Sequence, residues 1–217
     1  EEDTTWTEVL PKSALEAGSQ NFFEIDHSKE WTHVRLHIYP DGGVARLRVY
    51  GEVKTNWERY QEGDLVDFAS VYNQGRALFC NDMFFSNMRN LTAPGRGVNM
   101  GDGWETKRRR TPGNDWVILS LGRAGVIEEV EIDTAHFKGN YPDRFSLEYC
   151  DLGKTGDVAL EELQKANWNF LLSEQKLQAD KQHFFKSDVL TPGRSTHVRL
   201  NIFPDGGISR LRLWGRM

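Results

Sequence analysis

The sequence predicts an all-β chain, an antiparallel jelly roll or β-sandwich, present as one complete repeat preceded by the C-terminal part of another. Three observations carry this. Apolar and polar residues alternate with period two in many short runs, as half-buried strands require. Glycine-rich turns separate those runs, and only 157–165 reads as a helix. A twenty-residue phrase is also written twice, "THVRLHIYPDGGVARLRVYG" from Thr32 and "THVRLNIFPDGGISRLRLWG" from Thr196, identical at fourteen positions and 164 residues apart.

In chain order, "WTEVLPKSALEAGSQNFFEID" from Trp6 lies against "WNFLLSEQKLQADKQHFFKSD" from Trp168, so the repeat extends well beyond the phrase. Residues 1–51 are therefore read as the C-terminal part of a first repeat. The second copy carries two extra residues between Asp188 and Thr196, where a loop tolerates them. The polar, charged segment 52–64 reads as a linker, and 65–217 as a complete second repeat. Its strands are expected at 76–81, 116–121, 126–133, 145–151, 168–172, 183–186 and in both arms of the phrase.

Within the phrase, Val198, Leu200 and Ile202 alternate with His197, Arg199 and Asn201, and Leu211 and Leu213 with Arg210, Arg212 and Trp214. Between the arms, Pro204-Asp205-Gly206-Gly207 reads as a hairpin turn, with Asp205 bonding amides ahead of it and the glycines accepting positive φ. Arms 196–203 and 208–214 are thus expected to pair with each other. Arg199, Arg210 and Arg212 fall on the outward face, where Glu129 and Glu131 of another strand offer cross-strand charge pairs. In the first copy, 6–51 buries too little apolar surface to stand alone. Val34, Leu36, Ile38, Leu47 and Val49 are accordingly expected to be covered by the second unit, another subunit or a preceding segment. Unpaired sheet edges make a homo-oligomer the expectation.

Composition narrows the partners. A net charge of −5 argues against a nucleic-acid footprint, and the "KRRR" run at 107–110 is too short to reverse that. No stretch approaches a membrane span, and "EEDTTWTEV" has neither the basic flank nor the apolar run of a signal peptide, so a cytoplasmic location is expected. Cys80 and Cys150 are too few for a disulfide framework and lack metal-ligand spacing, which leaves them as buried thiols.

Two stretches are dense in reactive groups. "NMGDGWETKRRRTPGNDW" at 99–116 is a long polar loop holding Asp102, Trp104 and Glu105 ahead of four basic residues, and loops of this length are usually functional or disordered. "EVEIDTAHFKGNYP" at 129–142 runs off a strand whose Val130 and Ile132 face inward. It releases Asp133, His136, Lys138 and Asn140 into a turn, where a carboxylate, an imidazole and an amide are placed for acid/base work. Trp104, in an exposed loop, would suit a substrate wall or a sugar-stacking platform.

"DGWETKR" at 102–108, "DTAHFKGN" at 133–140 and the duplicated "HVRL…PDGG…RLR" phrase together resemble the allantoicase family. The resemblance implies two jelly-roll repeats of the galactose-binding type, and release of urea from allantoate to leave ureidoglycolate. The chain departs from the family pattern in lacking the front of repeat one with its own copies of both motifs. For a small carboxylate bearing two ureido groups, Arg108 and then Arg110 are the carboxylate receptors to expect. Glu105 and His136 would divide the proton transfers, Asp133 would orient the imidazole, and Asn140 would bind a ureido carbonyl, with Asp102 and Trp104 lining the site. Asp102, Glu105 and His136 are also metal-ligating types, but nothing in their spacing compels a metal, so no cofactor is expected. The competing readings are a non-catalytic ligand- or carbohydrate-binding jelly roll and an inactive relative of the family.

Overall fold

A computed structural model describes residues 5–190 and 193–216. The chain forms two units, Glu1–Tyr50 and Gly51–Met217. The termini expected at residues 1 and 217, and part of the two-residue insertion between Asp188 and Thr196, lie outside the described residues.

The second unit is built from β1 (Leu65–Asp67), β2 (Arg76–Cys80), β3 (Trp104–Glu105), β4 (Asp115–Gly125), β5 (Ile127–Asp133), β6 (Arg144–Cys150), β7 (Asn169–Lys176), β8 (Gln182–Phe185), β9 (Ser195–Phe203), β10 (Gly207–Ile208) and β11 (Arg210–Arg216), with one short helix, α1 (Leu160–Gln164). Every strand run expected from alternation is present, and the expected helix lies within 157–165. The strands form a jelly-roll sandwich, with order β1-β11-β5-β8 in one sheet, β2-β4-β9-β6-β7 in the other, and a small β10-β3 ribbon at one end. All pairings are antiparallel. Among the described residues no helix is long and apolar enough to cross a membrane.

Alternation decides what fills the sandwich. Val117, Leu119 and Leu121 of β4, Val198, Leu200 and Ile202 of β9, and Leu211 and Leu213 of β11 point inward and are fully buried with Val130, Ile132, Phe145 and Leu147. On the outer side of the larger sheet, Ile118 packs with Val158 and Leu163 under α1. Trp168 closes that patch by donating from Nε1 to the Leu163 carbonyl at 2.9 Å.

The arms of the repeated phrase do not form a hairpin. β9 pairs with β4 and β6, whereas β11 pairs with β1 and β5, so Pro204–Gly207 crosses from one sheet to the other. Each arm buries its apolar face against the opposite sheet, which a period of two satisfies as well as mutual pairing would. Asp205 likewise bonds no amide ahead of it: its Oδ2 accepts from the Arg109 N–H at 2.8 Å. Gly207 has no alternative, because an added Cβ would lie 2.0 Å from the Phe137 ring.

Segment 52–64, read as a linker, belongs to the second unit. Asn56 caps a single 3-10 turn at Trp57–Arg59, and Trp57 and Tyr60 pack against the core. In the first unit, residues 5–50 contain no strand. Val34, Leu36, Ile38, Leu47 and Val49 are 42–58% exposed, while their counterparts Val198, Leu200, Ile202, Leu211 and Leu213 are at 0%. The first unit by itself therefore does not bury these side chains.

Candidate active site

The β3–β10 ribbon places the first acidic group. Glu105 lies opposite Gly207 and Trp104 opposite Ile208, and successive residues of a strand face opposite ways. Trp104 consequently points inward, fully buried, with Nε1 donating to the Asp82 carbonyl at 2.8 Å. It is a core residue and neither a substrate wall nor a sugar platform. Glu105 faces outward, and its Oε1 accepts a short hydrogen bond from Asn140 Nδ2.

Beyond β5, the chain turns sharply at Thr134–Phe137, where the Phe137 N–H donates to the Thr134 carbonyl at 3.0 Å. His136 has φ of 71°, uncommon for a residue with a Cβ. Its Nε2 lies 2.8 Å from the Gly97 carbonyl. A carbonyl only accepts, so in the neutral ring Nε2 carries the proton and Nδ1 is the basic nitrogen.

Asp133 does not orient that imidazole. It is fully buried, and its carboxylate accepts from Arg96 Nε at 2.8 Å, Arg96 Nη2 at 3.1 Å and the Ala135 N–H at 2.9 Å. Asp102 is likewise held in place, by Arg210 Nη2 at 2.9 Å and the Val98 N–H at 3.1 Å. Burial pushes the Asp102 carboxyl up, but the Arg210 hydrogen bond, the Val98 amide and the neighbouring positive charge outweigh it and hold the group below its usual range.

The phrase arginines are therefore not surface charges paired to Glu129 and Glu131. Arg210 is 2% exposed and also donates to Gly95 O at 3.1 Å, while Arg212 donates to Ala93 O at 2.7 Å and Gly95 O at 2.8 Å. Together they fasten the 93–97 loop across the outer face of β11. Cross-strand charge pairing does occur at Arg199, with Glu148 at 2.7 Å rather than either expected glutamate.

The two motif segments meet where Asn140 bonds Glu105, while His136 and Asp133 instead reach Gly97 and Arg96 in the loop ahead of the first motif. Arg108 and Arg110 are exposed and make no bond that carries them to this cluster. Within the basic run, Lys107 pairs with Asp82 at 3.1 Å and Arg109 with Asp115 at 3.2 Å. Among the described residues no group of three or more His, Cys, Asp or Glu is arranged to hold a metal ion.

The family model described as the allantoicase repeat matches residues 1–54 and 66–217. The chain belongs to the allantoicase family. A probable allantoicase of Pseudomonas fluorescens is 52% identical over 217 residues, all of this chain and 65% of that protein. Probable allantoicase 1 of Burkholderia mallei is 50% identical over 216 residues, covering 64% of its length. The chain therefore spans about 65% of the length of these relatives. The crystal structure of allantoicase from Saccharomyces cerevisiae matches with a TM-score of 0.66 and 40% identity, over 82% of this chain and 49% of that one.

In this allantoicase-family chain, the sequence does not single out Arg96, and it places Arg210 on the surface, whereas Arg210 is 2% exposed. The polarity-breaking "DMFF" at 82–85 was a signal that could have been followed. Phe84 and Phe85 are 69% and 62% exposed, and the Phe85 N–H donates to the Glu105 carbonyl at 3.2 Å, which puts an apolar rim beside the acidic group.

Proposed function

We infer that the chain hydrolyses allantoate to ureidoglycolate and urea, with 65–217 as the complete second repeat carrying this site and 1–51 as the end of the first. The observation that supports this best is the Glu105–Asn140 hydrogen bond, which joins the 102–108 and 133–140 segments, in a chain about half identical along its whole length to proteins called probable allantoicases.

In the reaction, water adds to the central carbon of allantoate and the bond to one ureido nitrogen breaks. The water proton goes to a base, and the departing nitrogen takes one up, so urea leaves and a hydroxyl remains. His136 Nδ1 serves as the base, because Nε2 is committed to Gly97. Glu105, steadied by Asn140, handles the proton at the departing nitrogen. Asp133 acts at one remove by holding Arg96, and Asp102 by engaging Arg210. The exposed guanidinium of Arg108, or of Arg110, meets the substrate carboxylate with its planar fork. The enzyme would work in the cytoplasm as a homo-oligomer on this small molecule.

The test is urea release from allantoate by the purified 217-residue chain. Urea and ureidoglycolate formed in equal amounts are expected; folded protein giving no urea above the uncatalysed rate would overturn the assignment.

A further inference from the structure

His136 holds an unusual backbone, and the carboxylate that accepts its N–H lies outside both site motifs. Its N–H donates to Asp180 Oδ1 at 2.7 Å, and the Asp180 N–H donates back to the Phe137 carbonyl at 3.3 Å. Asp180 is itself left-handed, with φ of 52°. Two non-glycine residues in this sparsely populated region thus brace each other across 44 positions of sequence. Thr134 locks the same contact: its N–H donates to Lys181 O at 3.0 Å, its hydroxyl to Gln178 O at 2.6 Å, and Lys181 N–H donates to that hydroxyl at 3.0 Å. The loop between β7 and β8 therefore clasps the turn that carries the imidazole.

On its far side the ring meets Gly97, in the loop fixed by Arg96, Arg210 and Arg212. The imidazole is caught between two supports, one setting its backbone and one setting its tautomer. Releasing the backbone support lets the turn relax toward commoner φ values and swings Nε2 off the Gly97 carbonyl.

We propose that Asp180 is a positioning residue of this site: by accepting the His136 amide it fixes the left-handed turn that keeps Nε2 on Gly97 and presents Nδ1 as the base. This rests on the hydrolase reading above. Asp180 touches no reacting atom, so its effect falls on turnover rather than on substrate capture.

Two variants of the full chain separate the acceptor from the charge and from folding. Asp180→Gly removes the carboxylate while suiting the left-handed backbone at 180, and Asp180→Asn keeps an acceptor oxygen without the charge. Asp180→Gly is expected to lower kcat for allantoate roughly 10- to 100-fold with KM changed less than about 3-fold, and Asp180→Asn to stay within about 3-fold of wild type. Nitrogen-15 NMR of the His136 ring reports the tautomer independently of turnover. The proton is expected on Nε2 in wild type and Asp180→Asn, and shared between the nitrogens in Asp180→Gly. Active wild type with Asp180→Gly unchanged in kcat and in the His136 signature would overturn the role of Asp180 alone. So would Asp180→Asn falling as far as Asp180→Gly. Wild type that releases no urea would instead sink the hydrolase reading.

Discussion

Asp67 shows how much one buried carboxylate can weigh. It lies on β1 at 6% exposure, and burial pushes its carboxyl up to about 6, even though the Leu213 and Ala69 amides and Arg212, 3.7 Å away, pull the other way. Folded protein holds that proton where the unfolded chain, titrating near 3.8, has lost it. The stability this group contributes is therefore complete below the unfolded value and is lost as pH rises to about 6. Between pH 4 and 7, denaturant unfolding of Asp67→Asn is expected to gain on wild type by up to ~3 kcal/mol; a constant difference would mean an ordinary carboxyl. At the site itself, His136→Ala and Glu105→Gln are each expected to cut kcat roughly 100- to 10,000-fold while leaving the unfolding midpoint near wild type. Steady-state urea release beside a thermal melt separates lost chemistry from lost fold. Glu105, His136 and Asn140 were candidates in sequence because their types and spacing fit proton transfer. Arg96 and Asp180 were not, because they act by holding other groups, and spacing does not record which distant backbone a side chain braces.

At the scale of elements, the repeated phrase was legible as two strands and a glycine turn, and illegible as a sheet crossing. Val198, Leu200 and Ile202 report that one face of β9 is buried, but alternation is silent about which strand lies beside it. Trp104 failed for a related reason, since a strand of two residues gives alternation nothing to count. The crossing explains the glycines better than a hairpin did. Gly206 has φ of 135°, the Gly207 N–H donates to Asn140 O at 2.8 Å, and both sit against the segment that carries Asn140. Gly207→Ala should force the Phe137 ring aside, costing roughly 1–3 kcal/mol in denaturant unfolding and disturbing Asn140. The matching Gly43→Ala in the first copy, where an added Cβ meets nothing within 4 Å, should change neither stability nor urea release. Equal losses from the two substitutions would count against this account of the turn.

For the molecule as a whole, the same words carry different structure in the two copies. Hydrogen exchange on dilute protein should find amides of 32–50 exchanging at near-unprotected rates and those of β9 and β11 among the slowest, because only the second copy has neighbours on both sides in a sheet. Comparable protection in both would show that the first copy builds a sheet of its own. The pairing of β1 with β11 has a separate consequence. Leu65 lies opposite Arg216 in that ladder, so the chain enters and leaves the sandwich at neighbouring points on one edge. A unit wired in this way can be spliced into a longer polypeptide, or copied in tandem, without pulling its sheets apart. It can also be rewired: a flexible link from 216 to 52, which keeps Trp57 and Tyr60 on the core, with new ends opened between the exposed Gly153 and Lys154, should leave the sandwich intact. The same edge that joins its two ends leaves the starting point of the sandwich free to move.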